Sequence, residues 1–195
     1  SMRQFDDLTY VHSVNVALIA SILGQWLKFS EKDIRILTIS GLLHDIGKIM
    51  IPNEILTKPG KLTVAEYNIM KQHVNFGYEK VKNQNIDIRI KEACLLHHEK
   101  CDGTGYPFGL KSDHIPAVAK IIAIADVYDA MTSARVYRGA LCPFEVIDTM
   151  YKDAFTKFEP EYILPFLKNV ASSYINNDVR LSDGRIGKVV LINEN

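Results

Sequence analysis

Apolar residues recur at helical spacing along most of the chain. Val11, Val14, Ala17, Leu18, Ile22 and Leu27 fall on one stripe of a first helix that fades near Phe29. Ser30 reads as the N-cap of a second helix through Ile34, Leu37, Ile39, Leu42 and Leu43 to the pair His44-Asp45. Gly47 and Pro52 mark where that helix ends. Pro59-Gly60 is a loop, and Thr63-Val64-Ala65-Glu66 is a capping box, its hydroxyl and carboxylate satisfying amides that the first turn leaves unpaired. The helix it opens carries Tyr67, Met70, His73, Val74 and Gly77 on or near one face.

Further helices are expected over Ile86 to His98, Ala117 to Ala134, Pro143 to about Phe155, and Pro160 through Phe166 and Val170. Pro143 is tolerated in a first turn because its missing N–H would have no partner there. After Asn176-Asn177 the pattern changes to short β-like runs, Val179–Leu181 and Lys188–Ile192, joined by Ser182-Asp183-Gly184. The expected architecture is all-α, about seven helices with a small C-terminal β-hairpin. Residues 1–8 read as a start or linker, with Ser1-Met2 a cloning scar before an internal start. Residues 9–177 read as one helical domain and 178–195 as the hairpin extension.

Composition narrows the function classes. The 195 residues, 47% apolar and 24% charged, suit a single globular domain with a substantial core. The 23 basic and 23 acidic residues cancel, so no global positive field exists for duplex nucleic acid. An anionic ligand must be held by a local cluster. Cys94, Cys101 and Cys142 form no Cys-x-x-Cys pair and leave one over, which points to a reducing cytoplasm. No apolar run reaches the length of about 18 residues that would suggest a membrane span; Ile121 to Ala125 is stopped by Asp126.

Five of the six histidines are distributed so that they can meet around metal ions. His44-Asp45 is the anchor, His73 lies on another helix, His97 and His98 adjoin at a helix end, and Asp126 lies on the long helix. Nitrogen and oxygen ligands of this kind suit first-row transition metals better than calcium or magnesium. Each histidine taken alone reads more simply as a core or surface residue; their order along the chain is what favours a site. Adjacent histidines face one site only at a helix end or a bend. Lys48, one turn beyond His44, either sits above the metal or compensates the negative end of a helix dipole. The glycines between Asp102 and Leu110 make a turn-rich lip that allows close backbone approach to a ligand, with the aromatic Tyr106 inside it.

Read in order, Leu43-His44-Asp45-Ile46-Gly47-Lys48, His73, His97-His98-Glu99, Gly105-Tyr106-Pro107-Phe108-Gly109-Leu110 and Ala125-Asp126-Val127-Tyr128-Asp129-Ala130 resemble the HD-GYP domain. This is a branch of the HD phosphohydrolases, and the resemblance runs from about His12 to about Val170. It implies an HD-superfamily helical bundle that hydrolyses cyclic di-GMP to pGpG, with GMP left open as a further product. A metal-bridging hydroxide would attack phosphorus in line with the departing 3′ oxygen.

The resemblance implies His44, Asp45, His73, His97, His98 and Asp126 as ligands of two divalent ions, iron or manganese. It likewise implies catalytic roles for Asp45 and Lys48, and substrate contacts for Lys48, Gly105, Tyr106, Pro107, Arg135 and Arg138. Tyr128 and Asp129 read as helix packing and support for the Asp126 carboxylate. His12 is a weak candidate, because some family members place a Glu one turn before the matching histidine and this chain has Leu8 there. That departure favours two ions over three. His114 reads as structural and Cys101 as incidental. A cyclic-dinucleotide receptor with weak or no catalysis, and a phosphodiesterase for cyclic GMP-AMP, remain alternatives. A nucleoside triphosphate hydrolase is disfavoured by the added histidines and the Gly-Tyr-Pro block. An upstream sensor domain and a homodimer are left open as partners.

Overall fold

The computed structural model describes residues 2–133, 141–181 and 183–191, with side chains from Thr9 onward. Among these residues the fold is helical, with one small antiparallel hairpin. Helix α1 (Met2–Trp26) is followed by α2 (Glu31–Leu43), and both ends of the turn between them are explained by sequence. Lys28 takes a left-handed φ of 58°, which closes α1, and the Ser30 side chain accepts from the amide of Asp33 to open α2.

Beyond α2 the chain makes a 3₁₀ turn (Ile46–Met50), then α3 (Asn53–Leu56), α4 (Val64–Met70), α5 (His73–Val81) and α6 (Ile88–Leu96). A second 3₁₀ turn (Ser112–His114) leads to α7 (Ala117–Thr132), α8 (Pro143–Lys152) and α9 (Pro160–Ser173). Strands β1 (Asp178–Arg180) and β2 (Ile186–Lys188) pair with Asp178 opposite Lys188. The hairpin is thus tighter than expected, its second strand starting ahead of Lys188.

The Thr63–Glu66 capping box forms as expected. Three expectations need correction. The helix that it opens breaks after Met70 and restarts at His73, within a fold that is otherwise the expected helical bundle. Residues 1–8 were expected as a linker, yet α1 is helical from Met2, and the stretch to Leu8 holds neither Gly nor Pro to interrupt it. The α-helix expected to run through His44 stops at Leu43, and a 3₁₀ turn carries Lys48.

The last change has a packing cause. Helix α5 crosses the 3₁₀ turn so closely that a Cβ on Gly47 would lie 1.9 Å from the His73 carbonyl oxygen and 2.4 Å from the Gly77 amide nitrogen. Only glycine fits, and the tighter helix brings the backbone to it.

The main core is built from Val16, Ala20 and Leu23 of α1, Ile36 and Leu37 of α2, Ile121, Ile122 and Ile124 of α7, and Ile163 and Phe166 of α9. Helix α7 is apolar nearly all round, as expected of a central helix covered on several sides. Its burial makes Asp126 informative. A carboxylate is left in this environment only where something compensates its charge. Among the described residues no helix is long and apolar enough to cross a membrane.

Candidate metal centre

Helix ends supply most of the site. His44 caps α2, His73 begins α5, and His97 caps α6, so that His97 and His98 leave the helix on its final turn and can share one side. That resolves how adjacent histidines face one centre. Three of these rings are oriented by their own backbone. The Nδ1–H of His44 donates to the Gly41 carbonyl at 2.7 Å, that of His73 to Met70 at 2.8 Å, and that of His97 to Ala93 at 2.9 Å. A carbonyl only accepts, so Nδ1 carries the proton and each Nε2 presents a lone pair inward.

Two groups of potential ligand atoms result, each with all atoms within 4.8 Å of one another: Asp45, His73, His97 and His98, and His12, His44 and Asp126. Asp45 lies between them. Its Oδ1 is 3.3 Å from His73 Nε2 and 3.9 Å from His97 Nε2, while its Oδ2 is 3.3 Å from His44 Nε2 and 3.6 Å from His12 Nε2. One carboxylate therefore turns an oxygen to each group, the geometry that a bridging ligand requires.

The atoms left over test whether a cation fits. The buried His12 Nε2, His44 Nε2 and Asp45 Oδ1 have no hydrogen-bond partner, although His12 Nε2 lies 3.0 Å from Asp126 Oδ1. Unsatisfied buried polar atoms are costly and uncommon. Here they converge with soft nitrogen and hard oxygen donors, so the cluster suits a divalent metal ion.

Electrostatics agree with the donor chemistry. Burial pushes His73 and, more strongly, His97 below the usual imidazole value, and desolvation takes His98 down to about 4. These rings are neutral at pH 7, the form that binds metal. Burial would raise Asp45, but Lys48, His44 and His73 outweigh it and hold the carboxyl well below its ordinary range. His12 behaves oppositely. Burial opposes its charge, yet the carboxylates of Asp126 and Asp129 raise it to about 9, so an ion held by His12 would have to displace a proton there.

His12 is thus drawn fully into the site, a more central place than the sequence gave reason to expect. Asp129 was expected to support Asp126; instead its Oδ2 accepts from His12 Nδ1 at 2.6 Å, while Asn15 and Ser133 donate to its Oδ1. The signal was present as spacing, since Asp126 and Asp129 share one face of α7.

Lys48 donates to Asp45 Oδ2 across one 3₁₀ turn and keeps part of its surface exposed. The Gly-Tyr-Pro lip lies against the histidines: the Tyr106 ring stacks on His98, centroids 4.7 Å apart and 26° between planes. Burial pushes the Tyr106 phenol up, so its O–H remains a donor. The Tyr106–Pro107 peptide is cis.

Gly105 has another use than close approach to a ligand. A Cβ there would meet the Lys100 amide nitrogen at 2.4 Å and Glu99 Cα at 2.5 Å, so the glycine lets the lip pack onto the segment after the histidines. Glu99 holds the lip from beneath. Its buried carboxylate accepts from the amides of Phe108 at 2.7 Å and Leu110 at 2.9 Å. Sequence reasoning gave Glu99 no role. Arg135 and Arg138 lie outside the described residues.

The sequence model of the family described as "HD domain" matches residues 6–162. The "Cyclic di-GMP phosphodiesterase PA4108" of Pseudomonas aeruginosa is 37% identical over 190 residues, covering 97% of this chain and 46% of that protein. The "3'3'-cGAMP-specific phosphodiesterase 2" of Vibrio cholerae is 36% identical over 158 residues, covering 80% of this chain and 30% of that protein. The chain therefore spans less than half the length of either relative. Among solved structures, Bd1817, a HDG"Y"P protein from Bdellovibrio bacteriovorus, superposes with a TM-score of 0.69 at 22% identity, over 83% of this chain and 52% of that one. From the family match, the ordered motifs and the shared fold, the chain belongs to the HD domain family and is of the HD-GYP type.

Proposed function

We propose that this chain is a metal-dependent phosphodiesterase that opens cyclic di-GMP to pGpG. The observation that carries the reading is Asp45, buried between two groups of inward-facing ligand atoms with one oxygen toward each. In this reading Asp45, His73, His97 and His98 would hold one divalent ion and His12, His44 and Asp126 another, Asp45 lying between the two groups. Iron or manganese suits the mixed imidazole and carboxylate set. Leu8, one turn before His12, offers no donor for a third ion. Bound divalent ions would lower the pKa of a water toward neutrality and offset charge on the phosphate.

The chain's own residues do the rest. The helix-end carbonyls fix the imidazoles so that no reorientation is needed on loading. Lys48, beside Asp45 and partly exposed, offers an ammonium to a phosphate oxygen. Tyr106, with Gly105 and Pro107 shaping its turn, covers the histidine side of the site and presents a phenol to the substrate. Arg135 and Arg138 are proposed as phosphate clamps on the strength of the motif alone. Three free cysteines favour a reducing, cytoplasmic setting.

The name of the Vibrio relative supports a second substrate, cyclic GMP-AMP. The test is protein loaded with iron or with manganese, assayed by metal analysis and against a panel of cyclic dinucleotides. About two ions per chain and release of pGpG are expected. Three tightly held ions would show Leu8 to be irrelevant. Ions bound with selective binding but no turnover would make the chain a receptor.

A further inference from the structure

Outside the candidate ligand set, a cation stands at the lip with no anionic partner among the described residues. Lys71 caps α4, and Tyr67 lies one turn before it on the same side. The Lys71 Nζ is 5.3 Å from the Tyr67 ring centroid and 5.9 Å from that of Tyr106. The two rings are themselves set edge to face, 6.5 Å apart at 81°. Tyr106 in turn stacks on His98, so the pair of rings connects the metal cluster to Lys71. Other lysines of the chain are neutralised by carboxylates: Lys58 donates to both oxygens of Glu66, and Lys120 to Glu159. Among the described residues no carboxylate pairs with Lys71.

An ammonium flanked by ring faces suits a flat, electron-rich heterocycle more than a bare tetrahedral anion. Tyr67 is 48% exposed, leaving ring surface on which a base can stack. Lys71 is a donor only, and guanine presents two acceptors side by side, O6 and N7, where adenine replaces O6 with an amino donor. We propose that Tyr67 and Lys71 form a purine subsite at the lip, in which Tyr67 stacks on one base of the dinucleotide and Lys71 reads its O6/N7 edge, selecting guanine over adenine. This rests on the cyclic-dinucleotide reading of the metal centre and adds the residues that set its base preference.

The test measures binding rather than turnover, by calorimetry on metal-loaded protein with cyclic di-GMP and cyclic di-AMP as probes. Wild type should prefer cyclic di-GMP. Lys71→Ala should weaken cyclic di-GMP roughly tenfold and leave cyclic di-AMP nearly unchanged, the scale of one lost base-edge contact. Tyr67→Leu should weaken both, because stacking does not distinguish bases. Circular dichroism and metal content should match wild type in both variants. Equal weakening of both probes by Lys71→Ala would make Lys71 a phosphate contact and overturn the proposal, as would an unchanged affinity or a wild type without preference. A protein that binds selectively through Lys71 but hydrolyses neither probe would keep the subsite and lose the phosphodiesterase reading.

Discussion

Glu99→Gln isolates the support beneath the lip from the candidate ligand cluster above it. The native carboxylate accepts two backbone amides, from Phe108 and Leu110, at a site only 4% exposed. Glutamine keeps one acceptor oxygen and turns an N–H₂ toward the other amide. One charge-assisted hydrogen bond is lost, at about 1.5–3 kcal/mol, and a buried donor then faces a donor at similar cost. A total near 3 kcal/mol is reasonable, because the lip can lift slightly and let water reach the orphaned amide. For a chain of this length that is about 6–12 °C in melting temperature. If the lip lifts instead of straining, the loss moves from stability to cyclic-dinucleotide affinity, because Tyr106 no longer stays against His98. Thermal unfolding and calorimetric binding on the same sample cover both routes. A variant with wild-type melting and wild-type affinity would refute the role given to Glu99.

Asp45→Ala should lose bound metal and hydrolysis together, whereas Lys48→Ala should keep the metal and slow turnover by roughly 10²–10³-fold; metal analysis beside steady-state kinetics separates them. Comparable metal loss from Lys48→Ala would merge ligand and clamp into one structural unit. Gly47→Ala should displace α5 with His73, since the new methyl meets backbone on two sides, and the expected result is a loss of several kcal/mol in chemical denaturation. Replacing Arg135 and Arg138 with alanine should raise KM and flatten its salt dependence at unchanged metal content. Wild-type KM in that double variant would place phosphate recognition elsewhere.

Much of this was legible in the chain. The capping box at Thr63–Glu66, the N-cap at Ser30 and the proline openings of α8 and α9 are local chemistry, and local chemistry decides them. The order of His44-Asp45, His73, His97-His98 and Asp126 was enough to bring these residues to one region. What escaped was set by contacts distant in sequence. The 3₁₀ turn at Gly47 answers to α5 packed across it, which no window around residue 47 contains. The pairing of His12 with Asp129 spans 117 positions, so helix periodicity showed each on a face without showing that the faces meet. Glu99 stood in the motif without a role because its partners are backbone amides, which side-chain spelling does not display.

The ligand groups draw on α1, the ends of α2 and α6, the start of α5, and the middle of α7. Loading such a centre would join residues from His12 to Asp126 through a few short bonds, so that helices far apart in sequence could separate only by giving up the ion. Stability would then rise with free metal as RT ln(1 + [M]/Kd), about 2.7 kcal/mol at a hundredfold excess over Kd. The supply of metal would then raise the equilibrium stability of the fold as it filled the site, so that folding and loading would respond to one variable.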